Sequence, residues 1–148
     1  MKRQTLLRVS FATAILAFGL SACETPPAAN VVRMGATLNG ASEVPPKAVP
    51  GTGSAEVNYN RDTGMLSWRV TYSGLTGPLT GAHFHGPAGP TANAGIVVPM
   101  ANSASPITGE ARITPAQAGD LMAGLWYVNL HTAANPPGEI RGQVTLRR

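Results

Sequence analysis

The stretch "SAEVNYNRDTGMLSWRVTYS", residues 54–73, decides the architecture. Ala55, Val57 and Tyr59 alternate with polar residues, and Leu66, Trp68, Val70 and Tyr72 then alternate with Ser67, Arg69 and Thr71. In extended chain, successive side chains point to opposite faces, so each run has one apolar and one polar face. The intervening "NRDTG" supplies turn residues, and the two runs together predict an antiparallel hairpin.

Working outward, shorter runs predict strands at Met34–Leu38, Thr80–His85, Ile96–Pro99, Thr108–Ile113, Leu125–His131 and Glu139–Leu146. In the last, Ile140, Val144 and Leu146 alternate with Glu139, Arg141, Gln143 and Thr145. The 17 glycines and 13 prolines are spread along the chain, which suits many short strands joined by turns. One helix interrupts them near residues 115–123. Thr114 is its N-cap, Pro115 opens it, Gln117 completes a capping box and Gly124 stops it. The expected fold class is all-β: an antiparallel, Greek-key-like sandwich or barrel of about seven to nine short strands with one short helix.

The N-terminus reads differently. "MKRQTLLR" carries Lys2, Arg3 and Arg8, an uncharged apolar run follows, and small residues close it. That order describes an export signal over residues 1–22. Leu20-Ser21-Ala22-Cys23 resembles a bacterial lipobox, which makes Cys23 the lipidated first residue of the mature chain. Cys23 is the only cysteine, so no intrachain disulfide can form. Residues 23–32 are read as the lipidated cysteine and a Pro/Ala tether, and residues 33–148 as the domain. Glu24 is not the aspartate associated with inner-membrane retention. The expected location is therefore the outer membrane of a Gram-negative cell, facing the periplasm, with the membrane as partner.

Charge narrows the function classes. The chain carries a formal charge of +4, but three of its eleven basic residues lie in the signal, which leaves eight basic and seven acidic. No basic stripe with interleaved aromatics remains, so nucleic acid is not an expected partner. There is no G-x-S-x-G elbow and no phosphate-binding glycine loop.

The chemistry concentrates in the histidines. His83 and His85 stand at i and i+2 on a predicted strand, so they share a face opposite Ala82 and Phe84. His131 ends another strand, on the face of Tyr127 and Asn129, while Trp126, Val128 and Leu130 take the other. Three imidazoles brought together would form a metal site for copper, in preference to zinc. If the last two strands form a hairpin, Glu139 falls near His131 as a fourth ligand or as the carboxylate that orients it. Glu139 and Arg141, two residues apart, are expected to pair with each other or across to neighbours. Met34, Met100 and Met122 are ordinary core fillers that could also offer a thioether.

Read in order, "ATLNGASEVPP", "LSWRVTYSGLTGPLTGAHFHGPAG" and "GLWYVNLHTAANPPGEIRGQV" resemble the CHRD domain, the module named after chordin. The resemblance implies an all-β domain and marks Glu43, Pro45, Pro46, His83, His85, His131, Glu139 and Arg141. "AHFHG" also looks like the H-x-H strand of copper/zinc superoxide dismutases, but those enzymes hold a pair of metals with more histidines than the three present here. The function expected is a lipid-anchored, non-enzymatic binding module with a three-histidine metal site. The alternatives are a structural or protein-interaction domain without metal and, third, a metal-dependent enzyme.

Overall fold

The computed structural model describes residues 30–101 and 104–147. The proposed signal and Cys23 lie outside those residues. Among the described residues nine strands form: β1 Val31–Asn39, β2 Thr52–Asn60, β3 Met65–Ser73, β4 Leu79–His85, β5 Ile96–Pro99, β6 Ile107–Arg112, β7 Tyr127–Thr132, β8 Asn135–Gln143 and β9 Thr145–Leu146. A short 3-10 turn, Gly40–Ser42, follows β1, and α1 spans Pro115–Met122.

The predicted hairpin is β2–β3, paired antiparallel over all nine residues of each strand. Its inward set is the expected one: Ala55, Val57, Tyr59, Leu66, Trp68 and Val70 are buried, while Arg69 opposite them is exposed. The helix is also as read. Thr114 accepts from the Gln117 N–H, and the Gln117 side chain accepts from the Thr114 N–H, which closes the capping box. Gly124 follows with φ +73°, a conformation that costs glycine little.

Every pairing is antiparallel, in the order β5-β4-β7-β8-β1-β2-β3-β6, with β9 added beside β1. Because β8 returns to lie next to β1, the connectivity is not a simple meander. The sheet curls until its two ends face each other. Trp68 of β3 meets Phe84 of β4 edge-on at 5.3 Å between ring centroids, although four strands separate them in the sheet. A continuous apolar core fills the resulting barrel, including Leu38, Val70, Phe84, Ile107, Trp126, Val128, Leu130, Ile140 and Val144. Met34 and Met100 belong to this core, and the Met122 sulfur accepts a hydrogen bond from Arg61. Among the described residues, no helix is long and apolar enough to cross a membrane.

Two boundaries differ from expectation. The last predicted strand is two: β8 begins at Asn135 and stops at Gln143, and β9 then pairs with β1. Leu146 consequently leaves the core alternation and is exposed. The prolines of "NPPGE" lie inside β8 instead of in a loop. They are accommodated because the β7–β8 register shifts between Leu130 and Thr132, which leaves a bulge opposite His131.

If the Trp68–Phe84 contact closes the barrel, Phe84→Ala should destabilise it by about 3–5 kcal/mol, the cost of a large core truncation. Urea denaturation monitored by Trp fluorescence measures this, and a loss below about 1 kcal/mol would mean the ends of the sheet are held some other way.

Candidate metal centre

The centre is built on the outer face of β4 and β7. Ala82 and Phe84 on β4, with Val128 and Leu130 on β7, are committed to the core. Alternation therefore puts His83, His85, Tyr127, Asn129 and His131 together on the opposite face. In register, His83 lies opposite Asn129, His85 opposite Tyr127 and Gly81 opposite His131. The missing side chain at Gly81 is what lets the rings approach: a Cβ there would lie 3.0 Å from His83 Cε1 and 3.6 Å from His131 Cδ2.

The three histidines converge. Each offers a ring nitrogen, and these atoms all lie within 4.8 Å of one another. His83 Nδ1 and His131 Nε2 are 3.2 Å apart. A tetrahedral metal with bonds of ~2.0–2.1 Å places its nitrogens about 3.3–3.5 Å apart, a spacing that His83 and His131 already approach.

Backbone carbonyls settle the protonation pattern. His85 Nδ1 is 3.0 Å from the Ala94 oxygen, and His131 Nδ1 is 2.9 Å from the Pro136 oxygen. A carbonyl only accepts, so both Nδ1 atoms carry the proton, and in a neutral ring the Nε2 atom then presents the lone pair. In that form His131 Nε2 accepts from His83 Nδ1. His85 Nε2 is buried and has no partner. Burial, followed by the neighbouring His131 and His85, holds the His83 pKa below the ordinary imidazole value. Burial also lowers that of His85; the Ala94 hydrogen bond opposes it, while His131 and Arg141 reinforce it. Two rings are thus biased toward the neutral form that ligates metal.

The Ala94 carbonyl sits on an irregular segment, residues 86–95, that Arg141 pins down. Arg141 is 1% exposed and donates from Nη1 to Asn93 Oδ1 at 3.0 Å, and from Nη2 to the Gly89 and Ala92 carbonyls at 3.1 and 2.9 Å. Its guanidinium lies 3.5 Å above the Tyr127 ring, which stacks on His85 at 5.0 Å and 6°. The Tyr127 hydroxyl in turn accepts from the Ala94 N–H at 3.0 Å. His85 is therefore held by a stack on one side and a hydrogen bond on the other, and both trace back to Arg141.

Glu139 does not join the histidines. Its fully buried carboxylate accepts from the Thr76 N–H and hydroxyl at 2.7 and 2.6 Å, from the Thr132 hydroxyl at 2.6 Å and from Asn135 at 3.2 Å. Burial alone would raise its pKa, but these donors together lower it. The bulge explains the displacement. Gly138, at φ +132°, breaks the alternation just before Glu139, and a Cβ there would collide with the Asn129 amide. The Pro136 carbonyl in the same bulge takes the orienting role expected of Glu139. Nor does Glu139 pair with Arg141: each has its own set of partners.

Glu43 lies against the same face. It is 4% exposed, accepts one long bond from Asn129 at 3.4 Å, and its Oε1 has no partner. Burial pushes its pKa up to about 7, against the lowering effects of Arg141, the Asn129 bond and Lys47. Pro45 and Pro46 follow on the exposed part of that loop.

The CHRD domain family matches residues 34–144. The chain belongs to the CHRD domain family. That span runs from within β1 to just past β8 and includes all three histidines, Glu43 and Arg141. No curated protein and no solved structure matches the chain. The groups that set the centre's geometry in this CHRD domain are Gly81, Ala94, Pro136 and Tyr127, and of these only Tyr127, which alternation puts on the His131 face, was placed by the sequence.

Glu43 makes the pH dependence specific. Its carboxyl pKa is higher folded (about 7) than unfolded (4.5), so the stability it contributes is full below pH 4.5 and lost as pH rises through 7. Glu43→Gln removes that loss. Relative to wild type it should gain about 1–3 kcal/mol between pH 5 and pH 8 in urea titrations. A parallel dependence in the two proteins would show that Glu43 does not titrate in this range.

Proposed function

We propose that this protein is an exported, lipid-anchored CHRD module that binds one copper ion through His83, His85 and His131 without catalysing a reaction. One observation carries the metal reading: the buried, unpartnered Nε2 of His85, whose Nδ1 is tied to the Ala94 carbonyl. A histidine serving only to anchor a loop would need no second imidazole beside its free nitrogen. Here two more lie within ligating reach. The donor set fits a first-row ion, being three imidazoles, two of them oriented by backbone carbonyls as metal-ligating histidines commonly are. Copper is favoured over zinc because nitrogen sites bind Cu²⁺ more tightly, and because the expected periplasmic compartment is one where copper is handled.

The anchoring half of the proposal rests on "LSAC" and the basic, apolar residues before it. Cys23 is the lipid attachment point, and the segment to Asn30 spaces the barrel from the outer membrane. No metal chemistry is assigned to Glu139, which its own donors saturate.

Purified protein loaded with copper or zinc and then dialysed should retain one equivalent of copper by elemental analysis. His83→Ala and His131→Ala should each abolish stoichiometric retention. Unchanged content in both variants would remove the histidines from the account and leave a protein-interaction domain. For the anchor, Cys23→Ser should eliminate incorporation of radiolabelled palmitate in cells, and persistent labelling would contradict lipidation at Cys23.

A further inference from the structure

Beside the histidine face lies a cavity of about 460 Å³ whose walls include Ala41, Val44, Pro46 and Pro90 and, among polar groups, Glu43, Arg141 and Gln143. It falls within the usual range for pockets that hold small molecules. Two of its lining residues are charged and at least nine-tenths buried, Glu43 at 4% and Arg141 at 1% exposure. Such groups are normally compensated by partners. Arg141 is, through its bonds to Gly89, Ala92 and Asn93. Glu43 is not, as far as hydrogen bonds go: Oε2 has only the long Asn129 bond and Oε1 has none, and the charges of Arg141 and Lys47 offset its burial only in part.

Gln143 adds a second unmet oxygen. Its Nε2 donates to the Ala88 and Gly124 carbonyls at 2.8 and 2.7 Å, which fixes the orientation of the amide and leaves Oε1 without a partner. Neither oxygen has a hydrogen-bond partner in the chain, so a donor that reaches either of them gains a bond that nothing in the fold supplies. One of the two is a carboxylate, which favours a charged donor. The apolar walls call for a hydrocarbon body behind it.

We infer that this cavity is a binding site for a small primary amine, with the ammonium directed to Glu43 and Gln143 and its apolar body against Val44, Pro46 and Pro90. An ammonium there would also return the Glu43 carboxyl to its ionised form, reversing the effect of burial. The site needs no metal, and stands whether or not the histidines take one.

Benzylamine and anisole, which are alike in size but differ in that anisole has no donor, serve as probes in amide NMR titrations of the ¹⁵N-labelled full chain. Benzylamine should give saturable shifts centred on Ala41–Val44, Thr91 and Gln143, with a Kd on the order of 1 mM, as befits so small a ligand. Anisole should bind at least tenfold more weakly. Glu43→Gln should weaken benzylamine at least tenfold, Ala41→Phe, at an exposed position on the cavity wall, should abolish binding, and His83→Ala should leave it unchanged. Absence of saturable shifts, as a cavity filled only by water would give, overturns the inference. So does equal binding of anisole, or equal binding by folded Glu43→Gln and Ala41→Phe.

Discussion

The structure depends on a single constraint: β4 and β7 must each send alternate residues into the barrel. Ala82, Phe84, Val128 and Leu130 are buried and fully occupied by the core. Shifting either strand by one residue would bury imidazoles and expose those groups, at a cost of roughly 1.5–3 kcal/mol for each large apolar side chain. The register is therefore fixed by the inside of the barrel, and the grouping of His83, His85 and His131 on the outside follows from it. The histidines do not need to attract one another in order to meet. The core places them, and the absent side chain of Gly81 gives the rings room.

What the core cannot supply is the choice of nitrogen. That choice comes from backbone carbonyls on two irregular segments. The Pro136 carbonyl is delivered by a bulge that two prolines and Gly138 impose on β8. The Ala94 carbonyl is delivered by residues 86–95, which have no regular structure and are held by Arg141 and Tyr127. Arg141 suits this work because its planar fork makes several directed bonds while its face lies on an aromatic ring, a combination lysine cannot reproduce. The cavity beside it shares Arg141 as a wall, so the histidine cluster and the cavity are both organised around one buried cation.

Much of this could be read in the sequence. The β2–β3 hairpin, the capped helix and the face shared by His83 and His85 follow from local rules of alternation and capping, which operate over a few residues. The face of His131 was legible as well, because the inward set Trp126, Val128 and Leu130 left it on the other side, but its meeting with that pair depends on β7 lying beside β4, which alternation does not reveal. Glu139 shows where such reading ends. Simple alternation set it beside His131, but a register shift opposite "PPGE" carried it to Thr76 and Thr132. Bulges depend on pairing between strands, and a single strand's pattern does not reveal them. Leu146 left the core for a related reason, since its segment breaks to pair with β1 instead of continuing β8. The roles of Ala94 and Pro136 were invisible because they act through main-chain oxygens, which every residue has.

X-ray absorption spectroscopy of the copper-loaded protein tests the central claim most directly, because it reports the atoms around the metal. Three imidazole nitrogens at about 2.0 Å, with the outer-shell scattering that intact rings produce, is the result expected of ligation by His83, His85 and His131. A shell made of oxygen, or one with a single imidazole, would contradict it and place the metal elsewhere on the chain.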